Sequence, residues 1–398
     1  MVLAAVLILL VADWPQFLGP TRDGVYTGND IAASFPASGP QILWKKDIGE
    51  GFAAPVVAQG KVILFHRVSG REIIEALDAA TGKNVWSYEY PTSYRDDFGF
   101  DEGPRSAPVV SNGVVYAFGA EGVLSAVDLS TGKKKWMIGA GQKFGVKKGW
   151  FGAAGSPLVE QNRVLVNLGG QNAGIVAFDA ATGAVAWKAT NDEASYSSGT
   201  VGTIDNERHA IFLTRAGVVD LNPADGRVRF SMPFRSRNNA SVNAATPLII
   251  GNLVFVSASY NTGAALFEIH GDQYKKLWAN DDSMSNHYST CVYRDGYLYG
   301  FHGRQEYGQA LRAVELKTGK VMWEAADFGA GTVTLIGDRL LIVRENGQLV
   351  LAPASSKTFQ PIAQCTLTKG VVRSYPALAD GRIYIRNEHT LVCAKLSR

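Results

Sequence analysis

The chain has 398 residues but only three cysteines, Cys291, Cys365 and Cys393, which lie far apart and are odd in number, so at most one disulfide is possible and none is required. Its six histidines show no metal-ligand spacing such as H-x-x-x-H, which removes the common short zinc motifs. Charged residues make up only 19% of the chain and leave a net +3, too sparse and too evenly spread for an electrostatic nucleic-acid footprint. No apolar run is long enough to span a bilayer as a helix. The one continuous run, Val2 to Ala12, has the length of the apolar core of a secretory signal. It predicts a signal peptide over residues 1–12 and export to the periplasm or the extracellular space. What is abundant points the other way from helices: 43 glycines, 8 tryptophans and 46% hydrophobic residues indicate many tight turns between short buried strands.

Self-comparison organises those strands. The block Leu77 to Trp86, LDAATGKNVW, recurs as VDLSTGKKKW ending at Trp136, FDAATGAVAW ending at Trp187 and VELKTGKVMW ending at Trp323. Looser copies end at Phe230 and Trp278, and a degraded one lies near 351–364. Ahead of each block stands a second unit, a small residue followed by alternating apolar residues, a Gly turn and another strand, as in APVVAQGKVILF from Ala54 and APVVSNGVVYAF from Ala107. From Pro55 to Pro376 there are seven intervals of about 46 residues, in the range of four-stranded propeller blades. Within the turn, Asp and Thr hydrogen-bond the local backbone and the following Gly supplies a positive φ. A Trp at fixed offset offers a large flat surface and an N–H that can reach a carbonyl of the neighbouring blade.

The expected fold is therefore all-β: an eight-bladed β-propeller of four-stranded antiparallel blades, occupying 42–398 as a single domain after an N-terminal extension over 13–41. Trp44, Trp86, Trp136, Trp187, Trp278 and Trp323 are the expected docking residues. The last repeat ends without a Trp strand, whereas Ile42-Leu43-Trp44 has no strand before it, so the N-terminal strand is expected to close the ring and remove its open edges.

The A-x-D-x-x-T-G-x-x-x-W blocks resemble the tryptophan-docking motif of quinoprotein alcohol dehydrogenase propellers. Trp14-Pro15-Gln16-Phe17-Leu18-Gly19-Pro20 and Asn286-His287-Tyr288-Ser289 look like exported bacterial "PQQ-binding-like β-propeller" proteins. The resemblance covers nearly the whole chain after residue 42 and implies a fold shared by enzymes that bind pyrroloquinoline quinone (PQQ) with Ca²⁺ and by a non-catalytic lipoprotein of outer-membrane barrel assembly. A fold does not choose between them. The family's vicinal Cys pair is absent, and the positions just before the eight inner strands, small residues apart from Tyr375, include no carboxylate. The nearest acids, Asp101-Glu102, Asp192-Glu193 and Asp281-Asp282, stand several residues further back. The loops leading to the inner strands carry Arg105, Trp150, Phe151, Tyr196, Asn243, His287, Tyr288, Arg373 and Tyr375, expected to surround one pocket on the funnel face. Aromatic, amide and guanidinium groups suit a sugar, an acidic small molecule or a partner protein.

The expectation is a monomeric, exported propeller that binds such a ligand or an envelope protein without chemistry of its own and without a metal. A PQQ-dependent sugar or alcohol dehydrogenase with a reduced site and an envelope-assembly scaffold are the alternatives.

Overall fold

The computed structural model describes residues 13–239 and 241–397; the signal peptide expected over 1–12 lies outside the described residues. Eight antiparallel sheets follow one another at 56–91, 109–139, 158–189, 200–233, 248–280, 292–325, 331–366 and 377–395, here called blades 1 to 8. Neighbouring strands in the first seven are consecutive in sequence. First strands of successive blades also approach one another: Val56–Ala58 lies beside both Val109–Ser111 and Ala377–Ala379, so the sheets form a ring around an axis. Blade 8 has only three strands of its own. Its outer strand is Ile42–Asp47, paired antiparallel with Thr390–Lys395 from Ile42 opposite Ala394 to Asp47 opposite Thr390. The N-terminal strand thus closes the ring.

The recurring block explains how blades are fastened. In blade 1, Asp78 Oδ1 accepts bonds from the backbone N–H and the hydroxyl of Thr81, at 2.8 and 2.7 Å, which sets the turn. The carbonyl just after this turn position, held by Asp78, Asp128 and Asp179 in blades 1 to 3 and by Asn222, Glu315 and Ala354 in blades 4, 6 and 7, then accepts the indole N–H of the preceding blade. Trp44 donates to Ala79, Trp86 to Leu129, Trp136 to Ala180, Trp187 to Pro223, Trp278 to Leu316 and Trp323 to Ser355, all between 2.7 and 3.1 Å. The turn glycine is needed twice over: Gly132 has φ +70°, and a Cβ there would sit 2.6 Å from the ring of Trp86. A one-residue bulge precedes each docking aromatic, twisting the outer strand so that the ring faces the next blade. Blade 4 has Phe230 instead, which packs 4.7 Å from Tyr274 and 6.2 Å from Phe267 in blade 5.

The small residues that begin the inner strands form a second staple. Ala107 N–H donates to Ser156 Oγ, Ser156 N–H to Ser198 Oγ and Thr246 N–H to Thr290 Oγ1, each at 2.9 Å and each reaching the next blade. Larger side chains would hold the strands apart at the narrow centre.

Sequence periodicity is silent about residues 13–26, and these thread the axis. Trp14 bridges to Val57, Pro15 accepts a bond from Val110 N–H at 2.7 Å, and Leu18 packs among Ala54, Ala107 and Tyr375 where the inner strands begin. The chain then turns back. Arg22 donates to Pro157 O at 2.8 Å, and Val25–Tyr26 runs parallel to the end of Gly331–Ile336. With its guanidinium 2% exposed and no carboxylate beside it, burial pulls Arg22 down to about 9. The extension is therefore an axial plug with its tip at the funnel floor.

Candidate functional site

On the funnel face, the loop between blades 1 and 2 is built around one carboxylate. Asp96, whose side chain is fully buried, accepts the N–H groups of Phe98 at 2.9 Å, Phe100 at 3.2 Å and Asp101 at 3.1 Å. It also takes a charge-assisted bond from Arg105 Nη2 at 2.9 Å. Arg67, buried below, holds both ends of the loop through Tyr94 O at 2.7 Å and Glu102 O at 2.9 Å. The result presents Phe98 and Phe100 outward, 55% and 57% exposed, with their rings 5.9 Å apart. The strand Asn84–Pro91 takes Tyr88 and Tyr90 into the sheet, so the loop begins after it.

Around that pair the aromatic surface continues. Phe151 lies 5.4 Å from Phe98 and 5.5 Å from Tyr196. The Arg105 guanidinium lies 5.7 Å from the Phe52 ring and 5.4 Å from Phe151, within cation–π range, and donates to Phe151 O at 3.2 Å. Arg373 lies over Phe52 at 5.5 Å and Phe100 at 5.8 Å while its Nε pairs with Glu345 at 2.5 Å. Arg105, Phe151, Tyr196 and Arg373 are thus brought together in a raised aromatic sill. Trp150 stands beside it under Arg215, 5.2 Å away.

Three of the residues expected at one pocket are buried instead, and a fourth, Tyr288, is half-buried with its hydroxyl inside the protein. Asn243 is buried, its amide donating to Thr214 O at 2.9 Å and Phe234 O at 3.3 Å. Tyr375 is buried beside the plug, its hydroxyl accepting from Thr290 N–H and donating to Thr290 O. Burial pushes the Tyr288 phenol up strongly. His287 bonds Tyr260 Oη through Nε2 at 3.1 Å and Gln305 through Nδ1, and burial pulls its pKa down. Their sequence position before inner strands is what placed them near the ring floor; at that depth a side chain packs more readily than it faces solvent. Phe52 escaped notice because, between Gly51 and Ala53, it reads as core.

A separate open groove of about 1360 Å³ lies between loops of blades 4, 5 and 6. Its walls include Arg235, Arg237, Tyr260, Lys276, Arg304 and Tyr307, of which only Arg235 and Arg237 stand in loops that the sequence reading marked.

A closed eight-bladed ring with tryptophan docking defines a quinoprotein-like propeller, and the sequence matches agree. The family described as outer membrane protein assembly factor BamB matches residues 24–144 and 70–324, more than half of the chain, and the chain belongs to that family. The alcohol dehydrogenase (quinone) dehydrogenase subunit of Komagataeibacter europaeus is 32% identical over 34% of this chain, which spans only 19% of that subunit. Outer membrane protein assembly factor BamB of Shewanella oneidensis is 21% identical over 87% of this chain and 86% of its own length. The structure of quinohemoprotein alcohol dehydrogenase from Comamonas testosteroni superposes with a TM-score of 0.67 at 15% identity, covering 97% of this chain and 80% of that one, a likeness of fold.

The residues present do not fit a quinone and calcium ion on the axis. The floor there is filled by Leu18 against Ala54, Ala107 and Tyr375. Acids near the funnel face serve the backbone and neighbouring side chains: Asp101 accepts Gly51 N–H and Gly103 N–H, Glu102 pairs with Arg67 and Arg95, Asp192 accepts the Thr214 hydroxyl, and Asp281 that of Ser285. Among the described residues no three His, Cys, Asp or Glu side chains converge as a metal site, and Cys291, Cys365 and Cys393 are all buried and unpaired. No helix among the described residues is long and apolar enough to cross a membrane.

Proposed function

We propose that this protein is a non-catalytic binding propeller of the cell envelope, and that its aromatic sill holds a segment of a partner protein. The observation that carries this reading is the Phe98–Phe100 pair: two stacked rings, each more than half exposed, fixed by hydrogen bonds to buried Asp96 and backed by Arg105 and Arg373. Exposed aromatic anchors on a rigid base with arginines are the composition of interface hot spots, since little conformational entropy is lost when they are covered. Two exposed rings side by side suit a partner's apolar groove or edge, whereas small-molecule sites are concave pockets. Membership in a family described by outer-membrane assembly supports an envelope location and an assembly partner.

The test is quantitative recovery of envelope proteins on immobilised wild type and on Phe98→Ser/Phe100→Ser. The expected outcome is a partner retained by wild type and lost by the variant at unchanged melting temperature; identical recovery on both would sink the reading. Titration with PQQ and Ca²⁺ is expected to leave the melting temperature unmoved, because a ligand of the folded state must raise it. A saturable rise would install the dehydrogenase alternative in its place.

A further inference from the structure

The groove between blades 4, 5 and 6 carries chemistry that the sill lacks. On one wall Arg235, Arg237 and Lys276 are exposed; Arg235 donates to the Asn239 side chain at 3.2 Å, and none of the three makes an ion pair with a described carboxylate. On the other, the Arg304 guanidinium lies between two rings, 4.2 Å from the centroid of Tyr260 and 5.1 Å from that of Tyr307. This wall is fixed from below. Tyr260 Oη bonds His287 Nε2, His287 Nδ1 bonds Gln305, and Gln305 begins the short turn Gln305–Tyr307 that carries the second ring. His287 is thus a positioning residue for the groove. Tyr307 is left 80% exposed, the most open large aromatic side chain described.

The acids here do not cancel the cations. Glu324 is paired with Arg312 and Glu306 with Arg304, while Asp281 accepts the Ser285 hydroxyl. Asp327 is the remaining acid of the lining. Five basic side chains line the groove against three acidic ones. An exposed ring in the same open groove as three exposed cations that have no described carboxylate partner matches a chain of rings that each bear a carboxylate: C–H faces stack on Tyr307 and the carboxylates meet Arg235, Arg237 and Lys276. We propose that this groove binds a uronic-acid oligosaccharide. The site is independent of the sill and of whatever partner the sill takes.

Isothermal titration with trigalacturonate tests it, with maltotriose as the neutral control and a triglutamate peptide as the acidic non-sugar control. Trigalacturonate is expected to bind and maltotriose not. Arg237→Ala/Lys276→Ala should weaken trigalacturonate by about tenfold or more, and added salt should weaken the wild type in parallel, as for charge-assisted contacts at an exposed site. Tyr307→Ala should weaken the sugar several-fold, while triglutamate, if it binds, should be indifferent to that change. Phe98→Ser/Phe100→Ser should bind trigalacturonate as wild type does, which separates this proposal from the sill. The replaced side chains are exposed, so melting temperatures should stay constant and report that the variants are folded. Absence of trigalacturonate binding, equal binding of maltotriose, or triglutamate binding as tightly with the same loss in Tyr307→Ala would each overturn the proposal.

Discussion

The two halves of the funnel rim use the same residue types to opposite ends. Around blades 1 to 3, with Arg373 reaching in from the loop before blade 8, every arginine of the sill has a carboxylate beside it: Asp96 for Arg105, Glu345 for Arg373, and Glu102 shared by Arg67 and Arg95. The aromatic rings there pack on one another and on the paired guanidinium groups. Between blades 4 and 6, Arg235, Arg237 and Lys276 have no carboxylate partner among the described residues, and Tyr307 has an open face. An arginine paired inside its own loop is scaffold, whereas one left unpaired at a groove is available for an outside anion. Pairing, more than composition, decides which part of a propeller face recognises apolar surface and which recognises charge.

The largest effect expected on this contrast comes from Arg105→Ala. It leaves buried Asp96 without its cation, and loss of one partner of a buried pair costs about 3–5 kcal/mol, readable by denaturant unfolding. Wild-type stability after this change would mean that Asp96 alone organises the loop. Next is acid. His66, 5% exposed beneath the first sector, accepts Gly49 N–H at Nδ1, and burial lowers its pKa from 6.5 to about 4. The folded state therefore binds fewer protons than the unfolded one in this window. Its contribution is full above about pH 6.5 and is lost as pH falls to about 4, up to roughly 3 kcal/mol in all. Unfolding measured at several pH values should show this slope, and His66→Gln should flatten it; an unchanged slope would remove His66 as its source. In the second sector, Tyr260→Phe removes one hydroxyl bond to His287 and should cost about 1 kcal/mol, with loosened sugar binding if His287 pins the groove wall. Smallest is Arg237→Ala/Lys276→Ala, expected within about 0.5 kcal/mol of wild type. A large loss there would show that these cations are scaffold too and would erase the distinction between the halves.

Much of the ring was legible because it repeats. Asp-x-x-Thr-Gly followed by Trp gives a turn, a positive φ and a docking ring at fixed spacing, and the missing final strand pointed to Ile42–Asp47. The plug was not legible, since residues 14–26 form only one two-residue strand and their partners come from blades far apart in sequence. The candidate site was half legible. Loop position identified Arg105, Phe151, Tyr196 and Arg373 but could not tell them from Asn243, Tyr288 and Tyr375, because depth below the rim depends on how neighbouring loops fold over each residue. Arg304 and Tyr307 sit in a loop between the second and third strands of blade 6, and Tyr260 in the matching loop of blade 5, whereas the loops that lead to the inner strands are connections between blades.

The closure of blade 8 has a consequence for how the chain is made. Asp47 pairs with Thr390, so this outer strand waits while everything between the two is synthesised. At typical elongation rates of about 5–20 residues per second the delay is some tens of seconds, during which Ile42–Asp47 has no sheet to join. Seven blades can collapse in order as they emerge, each from local hairpins, while the step that makes the ring a ring joins strands on either side of all the others. Nucleation is local and completion is global, so folding intermediates of this protein should be open arcs with two unpaired edges, and those edges are where aggregation would begin.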